Sequence, residues 1–333
     1  MNLTQIPQLI NDHGYSLMMN IYEAYPTVRD KIGQVVPIPA DGSVAGDKGD
    51  VLSTVGRPAW IRPGQASPRD QIGSAYTWYM ATHKMSRSLE FTAEMISASD
   101  SSGRLQRKLE DAGREFGQTF QDEKEDFIAG MLQDGTLTAG SAPTGHRPGY
   151  FNGTFPGNAD PYPTVIYDGL PWFDTAHTDF ADATTTKANH TVAGALTDAN
   201  LKTILTTMRV TNAVNYRGDL VSINPNTLVV PTALGYTART LLNSQLLAGS
   251  ANNDVNVLRG SLDVIDWARL SDDTDAWWLM EAGKGLRIAD SGAPVITSYY
   301  DEERQVMVVL YTSYFGATVT DWRYAYCSNK AAS

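Results

Sequence analysis

Apolar residues fall at helical spacing in several stretches of the chain. Over residues 15–25, Leu17, Met18, Ile21 and Tyr22 share one stripe, which predicts a short amphipathic helix. Over 101–133, Leu105, Leu109, Ala112, Phe116, Phe120, Phe127 and Met131 recur at intervals of three, four or seven. That pattern predicts one helix roughly 50 Å long, at 1.5 Å per residue. Its core face is Leu105, Leu109, Phe116, Phe120 and Phe127, with Ser101 or Ser102 placed to cap it and Gly135 to end it. "LTDANLKTILTTMRV" predicts a further amphipathic helix capped by Thr197 or Asp198. Residues 227–230 read as a buried strand, and Pro231 then opens a helix carrying Leu234, Ala238, Leu241 and Leu242.

Period-two alternation marks other segments as strands. In "SLEFTAE", Leu89, Phe91 and Ala93 alternate with Ser88, Glu90, Thr92 and Glu94. With the Pro- and Gly-rich stretch before it, this predicts a long hairpin over 56–95 whose polar tip holds Arg57, Arg62 and Arg69. Such an arm is of use only if it reaches a neighbour. "VVPIPADGSVAGDKGD" reads as extended chain and loop, because its Pro and Gly residues argue against regular structure. Residues 134–195 read as loops with short strands. "VLRGSLDVIDWARL", "DAWWLMEAGKGLRIAD" and the last forty residues read as strands, with a hairpin turn near 301–304. The fold class is α+β with mostly antiparallel strands. Gly113 and Gly117, four apart on the long helix, leave two readings open: close packing of another chain, or a tolerated exposed face.

Charge and composition narrow the function. The chain has 333 residues, 19% of them charged, and a formal net charge of −11. A field of that sign repels nucleic acid and anionic membrane, since gripping phosphates needs clustered Lys and Arg. No apolar run approaches the roughly 20 residues of a membrane span. The start, "MNLTQ", lacks the basic and apolar parts of a signal peptide. The single cysteine, Cys327, cannot form an internal disulfide, and a reducing compartment is expected. Without a secretion signal, the N-x-T triplets at Asn2, Asn152 and Asn189 are not read as glycosylation sites.

Chemistry has one foothold. P-loop, dinucleotide-binding, nucleophile-elbow and H-E-x-x-H motifs are all missing, so no cofactor or metal is expected. "GLPWFDTAHT" brings Asp174 and His177 three residues apart beside Trp172 and Phe173. His190 converging on them would make a catalytic or metal centre. The favoured reading is a structural turn, capped by Asp174 through backbone bonds, with His177 adding another and Leu170, Trp172 and Phe173 as anchors.

Taken in order, these pieces resemble the major capsid protein of tailed double-stranded DNA bacteriophages, the Hong Kong 97-type fold, and within it the Mu-like major head subunit group. The carriers are "SLEFTAEMISASDSSGRLQRKLEDAGREFGQTFQDEKEDFIAGM", "LPWFDTAHT" followed by Asn189, "LTDANLKTILTTM", "GDLVSINPNTLVVPTALGYTARTLL" and "LRGSLDVIDWARLSDDTDAWWLM". The resemblance spans about residues 15–328. It implies an N-terminal arm at 1–55, an extended loop at 56–95, a peripheral domain at 96–195 with the spine helix, an axial domain at 196–283, and return strands of the peripheral domain at 284–333. It implies intersubunit contacts through Arg57, Trp60, Arg62, Arg69 and Trp78. It further implies hexamers and pentamers forming an icosahedral shell around double-stranded DNA, with portal, scaffolding and decoration proteins as partners. Assembly in the host bacterial cytoplasm and residence in the virion follow. No cleaved scaffold segment is visible before the hairpin. Lys84, the only Lys between 56 and 95, lies off the tip, so no covalent cross-link is expected. The competing readings are an encapsulin-like compartment shell and a hydrolase using Asp174 and His177.

Overall fold

The computed structural model describes residues 15–41, 46–52, 58–67, 69, 74–92, 94, 104–138, 166–179, 182, 184–215, 218–246 and 255–331. In chain order the elements are α1 (Ser16–Ala24), α2 (Arg29–Ile32), β1 (Gln34–Pro37), β2 (Gly46–Leu52), β3 (Ser74–Ala81), β4 (His83–Thr92) and α3 (Arg104–Gln133). Next come β5 (His177–Thr178), β6 (Thr186–Lys187), β7 (His190–Thr191), α4 (Asp198–Thr206), β8 (Thr227–Val230), α5 (Thr232–Asn243) and β9 (Asp263–Asp266). The chain closes with β10 (Trp277–Met280), β11 (Leu286–Asp290), β12 (Val295–Asp301), β13 (Val306–Val319) and β14 (Ala325–Ser328). The class is α+β.

Two five-stranded sheets carry the chain. The first runs β1-β11-β13-β12, with β4 on the other side of β13. The fourteen-residue β13 is long enough to pair with β11 over its second half and with β12 and β4 over its first. The second sheet runs β7-β14-β10-β8-β9. Its strands β8 and β10 are buried at every position, because both faces are covered. Val229, Trp278 and Met280 face the core around α3, while Leu228, Val230, Trp277 and Leu279 face α4 and α5. Antiparallel pairs predominate, but β1–β11, β7–β14 and β8–β9 are parallel.

The spine helix α3 behaves as its spacing predicts. Phe116 stacks on Tyr311 of β13 at 4.2 Å between ring centroids, and Phe127 meets Phe315 edge-on at 5.4 Å. Phe120 is buried with them. Leu105 and Leu109 lie on the helix, but their side chains, like Ser101 and Ser102, fall outside the described residues. Gly135 follows the helix and is needed there: a Cβ would sit 2.6 Å from the Phe173 ring, whose own N–H donates to the Gly135 carbonyl. Thr197 caps α4 by accepting from the Asn200 N–H at 3.3 Å. Pro231 stands one position earlier than its predicted place, at the cap of α5 rather than in its first turn.

The structure corrects two expectations here. The close approach at Gly117 serves α1 of the same chain, not another chain: a Cβ there would lie 2.8 Å from the Met18 carbonyl oxygen. Residues 34–37 and 46–52 also hold regular structure. β1 is only four residues long, yet it adds a parallel strand beside β11. β2 tolerates its glycines because Gly49 lies under the Trp78 ring, where a Cβ would be 2.2 Å from Cζ2.

Beneath α1 and α2 lies a charged cluster that hydropathy could not foresee. "QDEKED" reads as a solvated helix face, but Gln121, Lys124, Glu125 and Asp126 are all buried. Lys124 donates its three protons to Asp290 at 2.5 Å, Tyr22 at 2.7 Å and the Gly292 carbonyl at 2.8 Å. Arg29 donates to Asp290 at 3.1 Å and Gln121 at 2.7 Å. The Glu125 carboxylate accepts the Val28 and Arg29 N–H groups that open α2. Four elements are thereby tied together through paired charge. Burial pulls the Lys124 ammonium down to about 8, against the opposing pull of Asp290. Burial also pushes Glu125 and the Tyr22 phenol up.

Candidate functional site

Two features carry functional weight: the polar turn at His177 and the hairpin arm. The turn begins at Asp168, where Gly169 adopts a φ of +81° and lets the chain fold back onto Ile166. Trp172 and Phe173 then stack at 4.6 Å and are fully buried. Asp174 accepts the Ala176 N–H at 2.8 Å, the predicted side-chain cap of a turn.

His177 is fully buried, and its carboxylate partner is Asp168, not Asp174. Nδ1 donates to Asp168 at 2.6 Å. Nε2 lies 3.1 Å from Asn189 Oδ1 and 3.3 Å from the Trp172 carbonyl. The ring stacks on Trp322 at 4.5 Å. Both ring nitrogens are therefore taken up by protein oxygens. His190 goes elsewhere, with Nε2 on the Lys330 carbonyl at 2.9 Å, and burial lowers its proton affinity. Among the described residues no group of three or more His, Cys, Asp or Glu side chains is placed to hold a metal ion.

The residue that organises this turn is Asn189. Its Nδ2 donates to the Trp172 and Trp322 carbonyls at 2.7 and 3.2 Å, and its Oδ1 accepts the Asp174 N–H at 2.9 Å. Its backbone bonds Asp174 on one side and Cys327 of β14 on the other. A fully buried Asn189 is a fastener between loop and sheet. The sequence showed it as the Asn of an N-x-T triplet and as part of the resemblance, without a structural role. Cys327 itself is buried, and that burial pushes its thiol well above its usual range.

The hairpin arm is built differently from its prediction. Its strands are β2 and β3, paired antiparallel from Gly46↔Ala81 to Leu52↔Ser74, so it begins at Gly46 rather than at 56. The expected returning arm, β4, instead pairs with β13 in the first sheet, ten residues in register from His83↔Phe315 to Thr92↔Val306. Only Thr82 separates β3 from β4. Trp78 is also corrected: it is buried within its own chain, packed with Met80 and Ala289, with the Arg287 guanidinium 5.0 Å above its ring. It pins the base of the arm. Arg57 lies outside the described residues.

The tip is exposed wherever it is described. Trp60 is fully exposed, and Ile61, Arg62 and Arg69 are exposed beside it. The sequence Arg62-Pro63-Gly64-Gln65 makes a tight turn, with Gly64 at φ +85° and the Gln65 N–H donating to the Arg62 carbonyl at 3.0 Å. Pro followed by a left-handed Gly is the type II turn arrangement. Among the described residues no helix is long and apolar enough to cross a membrane.

The turn holds His177 and Asn189 through inward bonds, and the arm ends in a fully exposed tryptophan. The chain belongs to the phage capsid protein family: that family's profile, described as "Phage capsid protein", matches residues 77–328. The fold agrees. The capsid of bacteriophage JBD30 is similar with a TM-score of 0.51 and 16% identity, over 74% of this chain and 92% of that one. The capsid of cyanophage P-SCSP1u gives 0.50 and 12%, over 92% and 89%. The mature capsid of bacteriophage PhiM1 gives 0.50 and 12%, over 91% and 87%. No curated protein matches the chain. It is a structural capsid subunit, and neither the compartment-shell nor the hydrolase reading is favoured.

Proposed function

We propose that this chain is the major head subunit of a tailed phage, assembling as hexamers and pentamers into an icosahedral shell around double-stranded DNA. The observation that carries this reading is the arm: a hairpin pinned at its base by Trp78, with Trp60 and two arginines projecting into solvent. An apolar side chain of that size is stable in water only at a cost, which contact with a second subunit removes.

In the Hong Kong 97-type scheme, the arm is the extended loop, with its first strand drawn from the N-terminal arm of 1–55. The α3 helix with β11, β12 and β13 makes the peripheral domain of 96–195 and 284–333. α4, α5, β8, β9 and β10 make the axial domain of 196–283, and β14 of the return strands pairs with β10. The buried turn supports the Mu-like head group as the subgroup. The acidic balance of −11 suits a wall that encloses DNA without holding it. Portal, scaffolding and decoration proteins complete the particle, which assembles in the host cytoplasm. The Asp168–His177–Asn189 turn is structural and carries no turnover.

Light scattering with negative-stain imaging of the purified chain tests this. The expected result is closed shells tens of nanometres across, or free hexameric and pentameric rings. A monomer or dimer under every assembly condition would sink the proposal.

A further inference from the structure

We propose that His177 carries a proton on both ring nitrogens, and that the second proton is a lock on the buried turn that alkali opens. The donors and acceptors around the ring require both protons. The Asn189 amide cannot be turned over, because Nδ2 donates to the Trp172 and Trp322 carbonyls and Oδ1 accepts the Asp174 N–H. His177 Nε2 therefore faces two acceptors, Asn189 Oδ1 at 3.1 Å and the Trp172 carbonyl at 3.3 Å, and needs a proton to meet them. Nδ1 stands 2.6 Å from Asp168 Oδ2, a separation that also needs a proton between the two atoms. A ring with one proton satisfies one side and sets a lone pair against oxygen on the other.

Of the two groups that share the Nδ1 proton, the imidazole is by nature the stronger base. The pair is therefore an imidazolium beside a carboxylate, with both side chains buried. The other Asp168 oxygen accepts the Leu170 N–H at 3.1 Å, which fixes the carboxylate in place. The Trp322 ring lies nearly parallel to the imidazolium at 4.5 Å and offers the cation its π face.

The other titratable groups described around the ring are engaged elsewhere. On the turn, Asp174 accepts the Ala176 N–H. On β6, Lys187 stands opposite His177 in register but pairs with Asp179 at 3.3 Å. Beside Trp322, Arg323 and Asp321 close on each other at 2.6 Å. On β7, His190 is held by the Lys330 carbonyl. Burial pushes the Tyr167 phenol, next to Asp168, and the Cys327 thiol well above their usual ranges, so both stay neutral.

Loss of the Nδ1 proton would leave a buried carboxylate facing a lone pair. The ring is then pushed from Asp168 and Trp322, and Asn189 loses the partner of its Oδ1. Asn189 also bonds Cys327 of β14 through its backbone, so the opening reaches the second sheet. The folded pair holds one proton more than an unfolded chain whose imidazole is neutral. Above the ordinary range of imidazole, stability contributed here therefore falls as pH rises.

The test uses the unsubstituted chain with isotope-labelled histidine and backbone, read by solid-state NMR. At about pH 7, both His177 ring nitrogens are expected to be protonated. On raising the pH, loss of the Nδ1 proton is expected to coincide with exchange at the Asn189 and Cys327 amides. After correction for base catalysis, the opened fraction should rise about tenfold per pH unit, as release of one proton requires. One bare ring nitrogen at about pH 7, or a deprotonation that leaves those amides protected, would overturn the lock. Urea unfolding of the parent and His177→Gln gives a second reading. The parent's lead is expected to narrow between about pH 7 and about pH 9, and a constant lead would overturn the proposal.

Discussion

Asp290→Ala is expected to cost about 3–5 kcal/mol of stability, the largest loss from any single change considered for this chain. Asp290 accepts from Lys124, Arg29 and the Gly292 N–H, and it is buried. Removing it leaves two buried cations, Arg29 and Lys124, without the carboxylate between them. Urea unfolding would show the loss, and hydrogen exchange would place it in α1, α2 and β1. A change below about 1 kcal/mol would mean that water already screens the cluster.

Lys124→Met should behave differently, because burial makes the ammonium easier to deprotonate in the folded chain than in the unfolded one. The Lys124 proton leaves at about 8 in the folded chain and at 10.5 in the unfolded one. Between those values the unfolded chain binds the extra proton, so the stability contributed through Lys124 rises with pH. Cys327 and the buried tyrosines, whose pKa values are raised, act in the opposite sense at alkaline pH. Cys327 and Tyr311 cancel in the difference between the parent and Lys124→Met, and Tyr22, bonded to Lys124, has its ordinary value at 10.0, the top of the window. That difference should move in the parent's favour between pH 8 and pH 10. A difference independent of pH would remove Lys124 from the account.

The second large effect is expected at Asn189→Ala, on the order of 3 kcal/mol. The change deletes a donor to two carbonyls and an acceptor for the Asp174 N–H and the His177 ring, all inside the protein. Each buried group left unpaired costs about 1–3 kcal/mol. Asp174→Ala should cost less than about 1 kcal/mol, since it removes one exposed turn bond. Thermal unfolding of the two variants decides the order. If Asp174→Ala proved the worse, Asn189 would not be the fastener of the turn.

That ranking shows how far the candidate site could be read from sequence. Asp174 and His177 stood out because they are close neighbours in the chain. The residues that hold His177 are Asp168, nine positions before it, and Asn189, twelve after, and no local pattern singles out either one. The tip residues Trp60, Arg62 and Arg69 were legible, since Pro and Gly mark an exposed turn. Trp78 was not: whether a strand aromatic faces a neighbour or its own chain depends on what lies beneath, here Gly49 and Arg287.

By itself the sequence determined the kind of most elements, β1 and β2 apart. The apolar stripe made α3 a helix, the runs "TLVV" and "WWLM" made buried strands, and residues 301–304 turned between β12 and β13. Those choices depend on periodicity over a few residues, and a few residues suffice to specify them. The tertiary structure alone decided the partners. β2 rather than β4 completes the arm, β1 joins β11, and Gln121, Lys124 and Glu125 are buried because Arg29 and Asp290, 261 positions apart, close over them. Partner choice is set by packing and charge pairing between distant segments, and local periodicity carries no record of those.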